Sequence, residues 1–206
     1  MTTSLHPRLT QTTLIKNVLE WNRLDPGRLF VKVLSADESD VSITYFDLIE
    51  NATRFCQYFQ TKGIRQNDVV IIILKHDVEL VYSFVGAMLC GAIPSIFSFP
   101  SSKISKDVYQ NTLSLLLQVC DTRFVLSDRA LAEEFPEPLR SRTNMQLLLA
   151  DDYVHFDGSL GVLPRYDPEQ TVLLQHSSGT TGLKKGVALS NKSVINQLTN
   201  YASTKE

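Results

Sequence analysis

The sequence lacks an excess of charge of either sign. Twenty Lys and Arg stand against 22 Asp and Glu, a formal net charge of −2. That removes the basic field on which nucleic-acid binding draws. Cysteine is scarce: Cys56, Cys90 and Cys120 are odd in number, and none sits in a C-x-x-C pair. They read as buried thiols in a reducing cytoplasmic compartment, not as a disulfide or zinc framework. The opening MTTSLHPRLTQTT has no basic stretch followed by an apolar one, so no secretory leader is visible. There is no internal repeat and no low-complexity tract. What remains is ordinary globular composition, 43% hydrophobic and 20% charged over 206 residues, enough to bury a sizeable core.

Charge is missing locally as well. From Leu80 to Ser102 there is no charged residue, a length that could span a bilayer. Gly91 and Pro94 split the stretch, and Ser83, Ser95 and Ser98 punctuate it. A buried helix to about Cys90 followed by a buried strand explains it better than a membrane span.

The rest of the chain alternates in period. Gln11 to about Asn22 has helical spacing, Leu29–Leu34 and Val41–Ile43 read as strands, and ADESD between them as a turn. Thr44 caps a helix, with Asp47 three residues on as a weaker form of the capping box. That helix carries Tyr45, Leu48, Ile49, Ala52, Phe55, Cys56 and Phe59 on one face and ends at Gly63. Val69–Leu74 is a continuous apolar run, as in a strand buried on both faces. Asp77 caps the next helix, Ile93–Phe97 is a strand, Asp107 opens a helix through Leu117, and Arg123–Leu126 is a strand. The expected fold is α/β, with a mainly parallel sheet flanked by helices.

The most informative stretch is Thr171 to Ser190, TVLLQHSSGTTGLKKGVALS. Val172–Leu174 and Val187–Leu189 are strand-like. Between them Leu183 is the lone apolar side chain. Glycines let the backbone adopt φ > 0 and let another group approach closely. Successive N–H groups in such a loop form a concave anion site, four hydroxyls add donors, and Lys184 and Lys185 add positive charge. A phosphate chain is the natural partner; a solvated Ser/Thr/Gly turn is the competing reading. The pattern G-x-x-x-x-G-K-[ST] fails here. Five residues after Gly179 and Gly182 the second glycine would fall at Lys184 or Val187.

The order Ser177, Ser178, Gly179, Thr180, Thr181, Gly182, then Lys185, Gly186 and Val187, resembles the signature loop of the adenylate-forming enzymes, [ST]-S-G-[ST]-T-G-x-P-K-G-V. These enzymes include acyl-CoA synthetases, acid–AMP ligases and peptide-synthetase adenylation domains. Lys184 departs from it, where proline is usual, and so does Asn191, where histidine is common. Ile43-Thr44-Tyr45-Phe46-Asp47-Leu48 resembles the family's T-Y-x-E-L segment, and Gly91-Ala92-Ile93-Pro94 its G-A-[IV]-P turn. The resemblance runs from about Gln11 to the end.

It implies ATP-dependent joining of a carboxylic acid to AMP with release of pyrophosphate. Mg²⁺ would bridge the phosphates, and CoA or carrier-protein pantetheine would be the possible acceptor. Ser178, Thr180 and Thr181 would donate hydroxyl hydrogen bonds to the phosphates, Gly179 and Gly182 would let backbone amides approach, and Lys185 would pair with phosphate or anchor the loop. The GAIPSIFSFP segment resembles fatty or aryl acyl-CoA synthetases. The family's adenine, ribose and C-terminal lysine contacts would follow beyond Glu206. Residues 1–206 are therefore expected to be a partial N-terminal AMP-binding domain without catalytic residues of its own and without the C-terminal domain. A non-catalytic nucleotide- or phosphate-binding module and a structural remnant are the alternatives.

Other residues carry less. Asp151, Asp152, His155 and Asp157 lack diagnostic metal spacing and read as a solvated turn. Glu133, Glu134 and Glu137 around Pro136 read as a charged surface segment. His176 either lines the nucleotide pocket or simply ends a strand.

Overall fold

Val69–Ile73 (β3) is the strand around which the chain is wound. Its residues VVIII leave no polar face, so both sides must be covered. Val70 and Ile72 point into one core with Phe55, Phe59, Val85 and Leu89. Ile71 and Ile73 point into another with Phe97, Tyr109, Leu113, Leu116 and Leu117. The period of two along one strand thus feeds two helical layers. Each fully buried Leu, Ile or Phe contributes about 1.5–3 kcal/mol by leaving water.

The structure is a computed structural model and describes residues 12–34, 39–100, 104–119, 122–135, 145–176 and 186–203. Its first helix, α1 (Leu14–Leu24), leads to an antiparallel pair, β1 (Leu29–Val33) and β2 (Val41–Thr44). Helix α2 (Tyr45–Thr61) follows, then β3, α3 (Val78–Leu89), β4 (Ile93–Ile96), α4 (Lys106–Val119) and β5 (Phe124–Ser127). A short α5 (Arg129–Glu134), β6 (Gln146–Leu149) and a 3₁₀ segment at Ala150–His155 lead to β7 (Thr171–His176), β8 (Gly186–Ser190) and α6 (Asn191–Ser203). Strands β3 to β8 form one sheet of order β6-β5-β3-β4-β7-β8, parallel except for the antiparallel β7–β8 hairpin. The expected α/β fold with a mainly parallel sheet is the one observed.

Boundaries shift by a residue or two. Helix α1 begins at Leu14 and not at Gln11, α4 runs on to Val119, and the strand expected from Arg123 begins at Phe124. The capping box of α2 is complete: the Asp47 amide donates to Thr44 Oγ1 at 3.1 Å and the Thr44 amide to Asp47 Oδ2 at 3.0 Å. The uncharged Leu80–Ser102 stretch becomes α3 and β4, and among the described residues no helix is long and apolar enough to cross a membrane.

Helices α2 and α3 cross at Gly86. A Cβ there would stand 2.6 Å from Phe55 Cβ and 2.7 Å from the Ala52 carbonyl oxygen. At the end of α3 the chain turns through Gly91, at φ 76°, whose carbonyl accepts from the Asn67 amide. The Gly-Ala-Ile-Pro segment is therefore a structural turn that delivers β4 into the sheet.

Candidate functional site

Consecutive crossovers put α3 on one face of the sheet and α4 on the other. Adjacent strands β3 and β4 thus send their continuations to opposite sides. The crevice outside their carboxyl ends is where open α/β sheets bind ligands. Leu74 and Lys75 follow β3 there, Phe97 follows β4, and β7 ends beside β4 at His176.

His176 is paired across the hairpin with Gly186. The expected loop leaves the sheet at the first and returns at the second. Ser177, Ser178, Gly179, Thr180, Thr181, Gly182 and Lys185 lie outside the described residues. So does Lys184. Gly186 is described: it is the first residue of β8 and is exposed. Of the predicted phosphate-loop residues, the structure thus places Gly186 and the two strands that carry the rest.

The neck of the loop has an internal tie. His176 Nε2 lies 2.6 Å from Ser95 Oγ on β4. Ser95 is completely buried, the polar member of an otherwise apolar strand. On the ring's other edge, a Cβ at Gly186 would meet His176 Cε1 at 3.4 Å and Nδ1 at 3.5 Å. The imidazole therefore spans β4, β7 and β8 at the mouth of the loop. His176 both ends its strand and lines a cavity of about 500 Å³, with Phe84, Gln175, Leu189, Gln197 and Tyr201 among its walls. Sequence reasoning left its role open and passed over Ser95. A buried hydroxyl within a four-residue apolar strand was the available signal, because buried polar groups find partners.

A second, polar cavity opens at the same edge of the sheet, beyond β3 and β5, between Lys75, Asp77, Glu79, Asp128, Arg129 and Asp151. Burial, followed by the charges of Asp77 and Asp151, raises the Glu79 carboxyl above its ordinary range. Arg129 lies 3.9 Å from Asp151 and 4.0 Å from Asp152, a loose, exposed arrangement. Among the described residues no group of three His, Cys, Asp or Glu is placed to hold a metal ion. Asp157 is instead a turn residue, its Oδ1 accepting from the Ser159 amide, the Ser159 hydroxyl and Gln57 Nε2.

Asn191, where the family pattern has histidine, is a buried junction. Its Oδ1 accepts from the Leu14 amide at 3.1 Å, and its Nδ2 donates to the Asp167 carbonyl at 3.1 Å. Cys56 and Cys90 are buried thiols, as expected, and hydrogen-bond to each other. That bond, with burial, raises Cys56 well above a free thiol.

The family model for AMP-binding enzymes matches residues 20–206. The chain belongs to the AMP-binding enzyme family. Among its curated relatives, a 4-coumarate–CoA ligase of Vanilla planifolia is 30% identical over 166 residues, which cover 76% of this chain and 30% of that protein. Gramicidin S synthase 2 of Brevibacillus brevis is 22% identical over 161 residues, 77% of this chain and 3% of that one. Among solved structures, a fatty acyl-adenylate ligase from L. pneumophila, in complex with acyl adenylate and pyrophosphate, superposes with a TM-score of 0.79 at 19% identity. That match covers 93% of this chain and 32% of the other. The McyG A-PCP structure with phenylalanyl-adenylate gives 0.78 at 24% identity, over 97% and 31%. This member of the AMP-binding enzyme family thus spans about a third of the two solved chains whose fold it shares.

Proposed function

We propose that residues 1–206 supply the phosphate-holding part of an ATP-dependent carboxylic acid–AMP ligase of the acyl-CoA synthetase type. The observation that carries this reading is the pairing of His176, the last residue of β7, with Gly186, the first of β8. A glycine-, hydroxyl- and lysine-rich segment joins β7 to β8 at the carboxyl edge of a parallel sheet, beside its switch point.

The chemical problem is charge. A carboxylate must attack the α-phosphorus of a polyanion, and pyrophosphate must leave. Donors fixed on the β- and γ-phosphates neutralise both events. Ser178, Thr180 and Thr181 supply hydroxyls, Gly179 and Gly182 admit backbone amides, and Lys185 supplies the cation. Mg²⁺ enters with the phosphates and keeps several waters, so it needs few protein ligands. A fatty or aryl acid is the proposed substrate, and CoA or a carrier-protein pantetheine the proposed acceptor, in a cytoplasmic enzyme. In the isolated 206 residues no side chain is assigned to adenine, ribose or the reacting carboxylate. Without that alignment, worth roughly 7–11 kcal/mol of barrier, phosphate holding alone does not give acyl-AMP.

Calorimetric titration of the purified chain with ATP and Mg²⁺ tests this. A Kd in roughly the millimolar range is expected, as a few exposed charge-assisted hydrogen bonds supply. Lys185→Ala should weaken binding more than Lys184→Ala. No heat at saturating ATP, or a larger effect from Lys184, overturns the assignment. Acid-dependent pyrophosphate release that Lys185→Ala abolishes would show that these residues already hold a complete site.

A further inference from the structure

We propose that Cys56 and Cys90 are a modification site, a dithiol that a hydroperoxide oxidises to a disulfide clipping α2 to α3. The two sulfurs come from facing helices and are hydrogen-bonded to each other. The backbone sets this up. Helices α2 and α3 touch at Gly86, where a Cβ would stand 3.4 Å from the Cys56 nitrogen. Cys90 follows one turn later at the end of α3, its amide donating to the Gly86 carbonyl at 3.2 Å. The glycine lets the helices approach, and the helical repeat puts Cys90 on the same face as Gly86, towards Cys56. The phosphate-holding role proposed above uses neither thiol.

Cys90 is the attacking sulfur. The Cys56 S–H and the Ala92 amide both donate to it, and the bond from Cys56, ahead of burial, lowers the Cys90 thiol while Cys56 is raised. The thiolate is the nucleophile, so Cys90 reacts first. It attacks one peroxide oxygen, the O–O bond breaks, and the departing hydroxide leaves as water with the Cys90 proton. Cys90 is then a sulfenic acid. The Cys56 sulfur attacks the Cys90 sulfur, the S–O bond breaks, and the hydroxyl leaves with the Cys56 proton as a second water. Two thiols and one peroxide thus give one disulfide and two waters. Access is governed by a strap, because the thiols are only 7% and 5% exposed. Leu163 and Tyr166, between the 3₁₀ segment and β7, pack on the core that holds both cysteines. The Tyr166 hydroxyl donates to the Leu89 carbonyl at 2.7 Å, and Gln66 Nε2 donates to the Arg165 carbonyl at 3.0 Å. Between these two ties, a Cβ at Gly91 would stand 3.1 Å from Pro164 Cγ. Local opening of this irregular segment admits the peroxide.

The experiment treats the purified chain with hydrogen peroxide at neutral pH, in a Cys120→Ser background that removes the third cysteine of the sequence. Peptides are then mapped by mass spectrometry without reduction. A linked Cys56–Cys90 peptide that dithiothreitol resolves is expected. The oxidised chain should unfold at a higher temperature than the reduced one, because the bond closes a loop in the unfolded chain. Cys56→Ser should stop at a Cys90 sulfenic acid that dimedone traps. Tyr166→Phe should form the bond about fivefold faster, the factor that one net hydrogen bond on the strap represents. Thiols that both remain free to alkylate after peroxide, a disulfide between two chains, or an oxidised chain that unfolds earlier than the reduced one overturns the proposal. A dimedone adduct on Cys56 in Cys90→Ser, formed as fast as that on Cys90 in Cys56→Ser, overturns the choice of attacking sulfur. A rate unchanged by Tyr166→Phe overturns the role of the strap.

Discussion

Gly86 shows how one hydrogen atom sets a helix crossing. In an isolated helix, alanine is favoured over glycine by about 1 kcal/mol. Here a methyl group would collide with Phe55 Cβ and the Ala52 carbonyl, both on or next to the α2 backbone. Overpacking of this kind costs about 1–3 kcal/mol, so Gly86→Ala should lower stability despite its better propensity. Urea denaturation checks this, and an unchanged or raised midpoint would mean that the helices separate at little cost. Asp157 works through its charge. Hydrogen bonds from the Ser159 amide, then from Gln57 and the Ser159 hydroxyl, hold its carboxyl down at about 2. A depressed native value means that the contribution is present above the ordinary carboxylate range and is lost as pH falls through about 2. The midpoint difference between wild type and Asp157→Ala should therefore be greatest above pH 4 and shrink towards pH 2. A difference independent of pH would assign the turn's stability to packing.

At the scale of elements, α1 is held by a residue 177 positions away in the chain. Thr13 precedes the helix without a side-chain cap, and Asn191 Oδ1 accepts the Leu14 amide instead. Asn191→Ala leaves that amide and the Asp167 carbonyl without their side-chain partner in a part-buried place, at a cost of about 1 kcal/mol. Hydrogen exchange should accelerate from Leu14 to Val18 ahead of α2, and uniform acceleration would point to global loosening instead. The sequence made most elements legible where pattern and punctuation agreed. Val69–Ile73 is apolar without interruption, Thr44 and Asp47 announce α2, and Gly63 closes it. Helix α5 and strand β6 were not legible. Six residues, RALAEE, show too little period, and Glu133 and Glu134 suggested only a charged surface. QLLL is too short a run to separate strand from helix. The loop's chemistry was readable because its residues are contiguous. The Ser95–His176 tie and the Asn191 junction were not, because each joins distant positions that only the strand order brings together.

At the scale of the molecule, β8 is the outermost strand among the described residues, where Val187 is 49% exposed, and Ile96, Leu198 and Tyr201 are exposed nearby. An apolar edge with free backbone groups invites pairing with a second copy. The purified chain should therefore elute at a size that grows with concentration, and Val187→Lys should suppress this. A concentration-independent monomer would show that the twist of the hairpin already protects the edge.

The pairing of β4 with β7 also has a meaning in time. Ser95 and His176 are 81 residues apart, and among the described residues β4 has no other strand partner on that side. A ribosome adds about 5–20 residues per second. During synthesis one flank of β4 thus waits roughly 4–16 s before its neighbour has even been made. Over that interval the nascent sheet can grow towards β5 and β6 while its other margin stays open to chaperones. Strands β7 and β8 then close that margin, so the two stems that carry the loop come together only after β3 to β6 have been made.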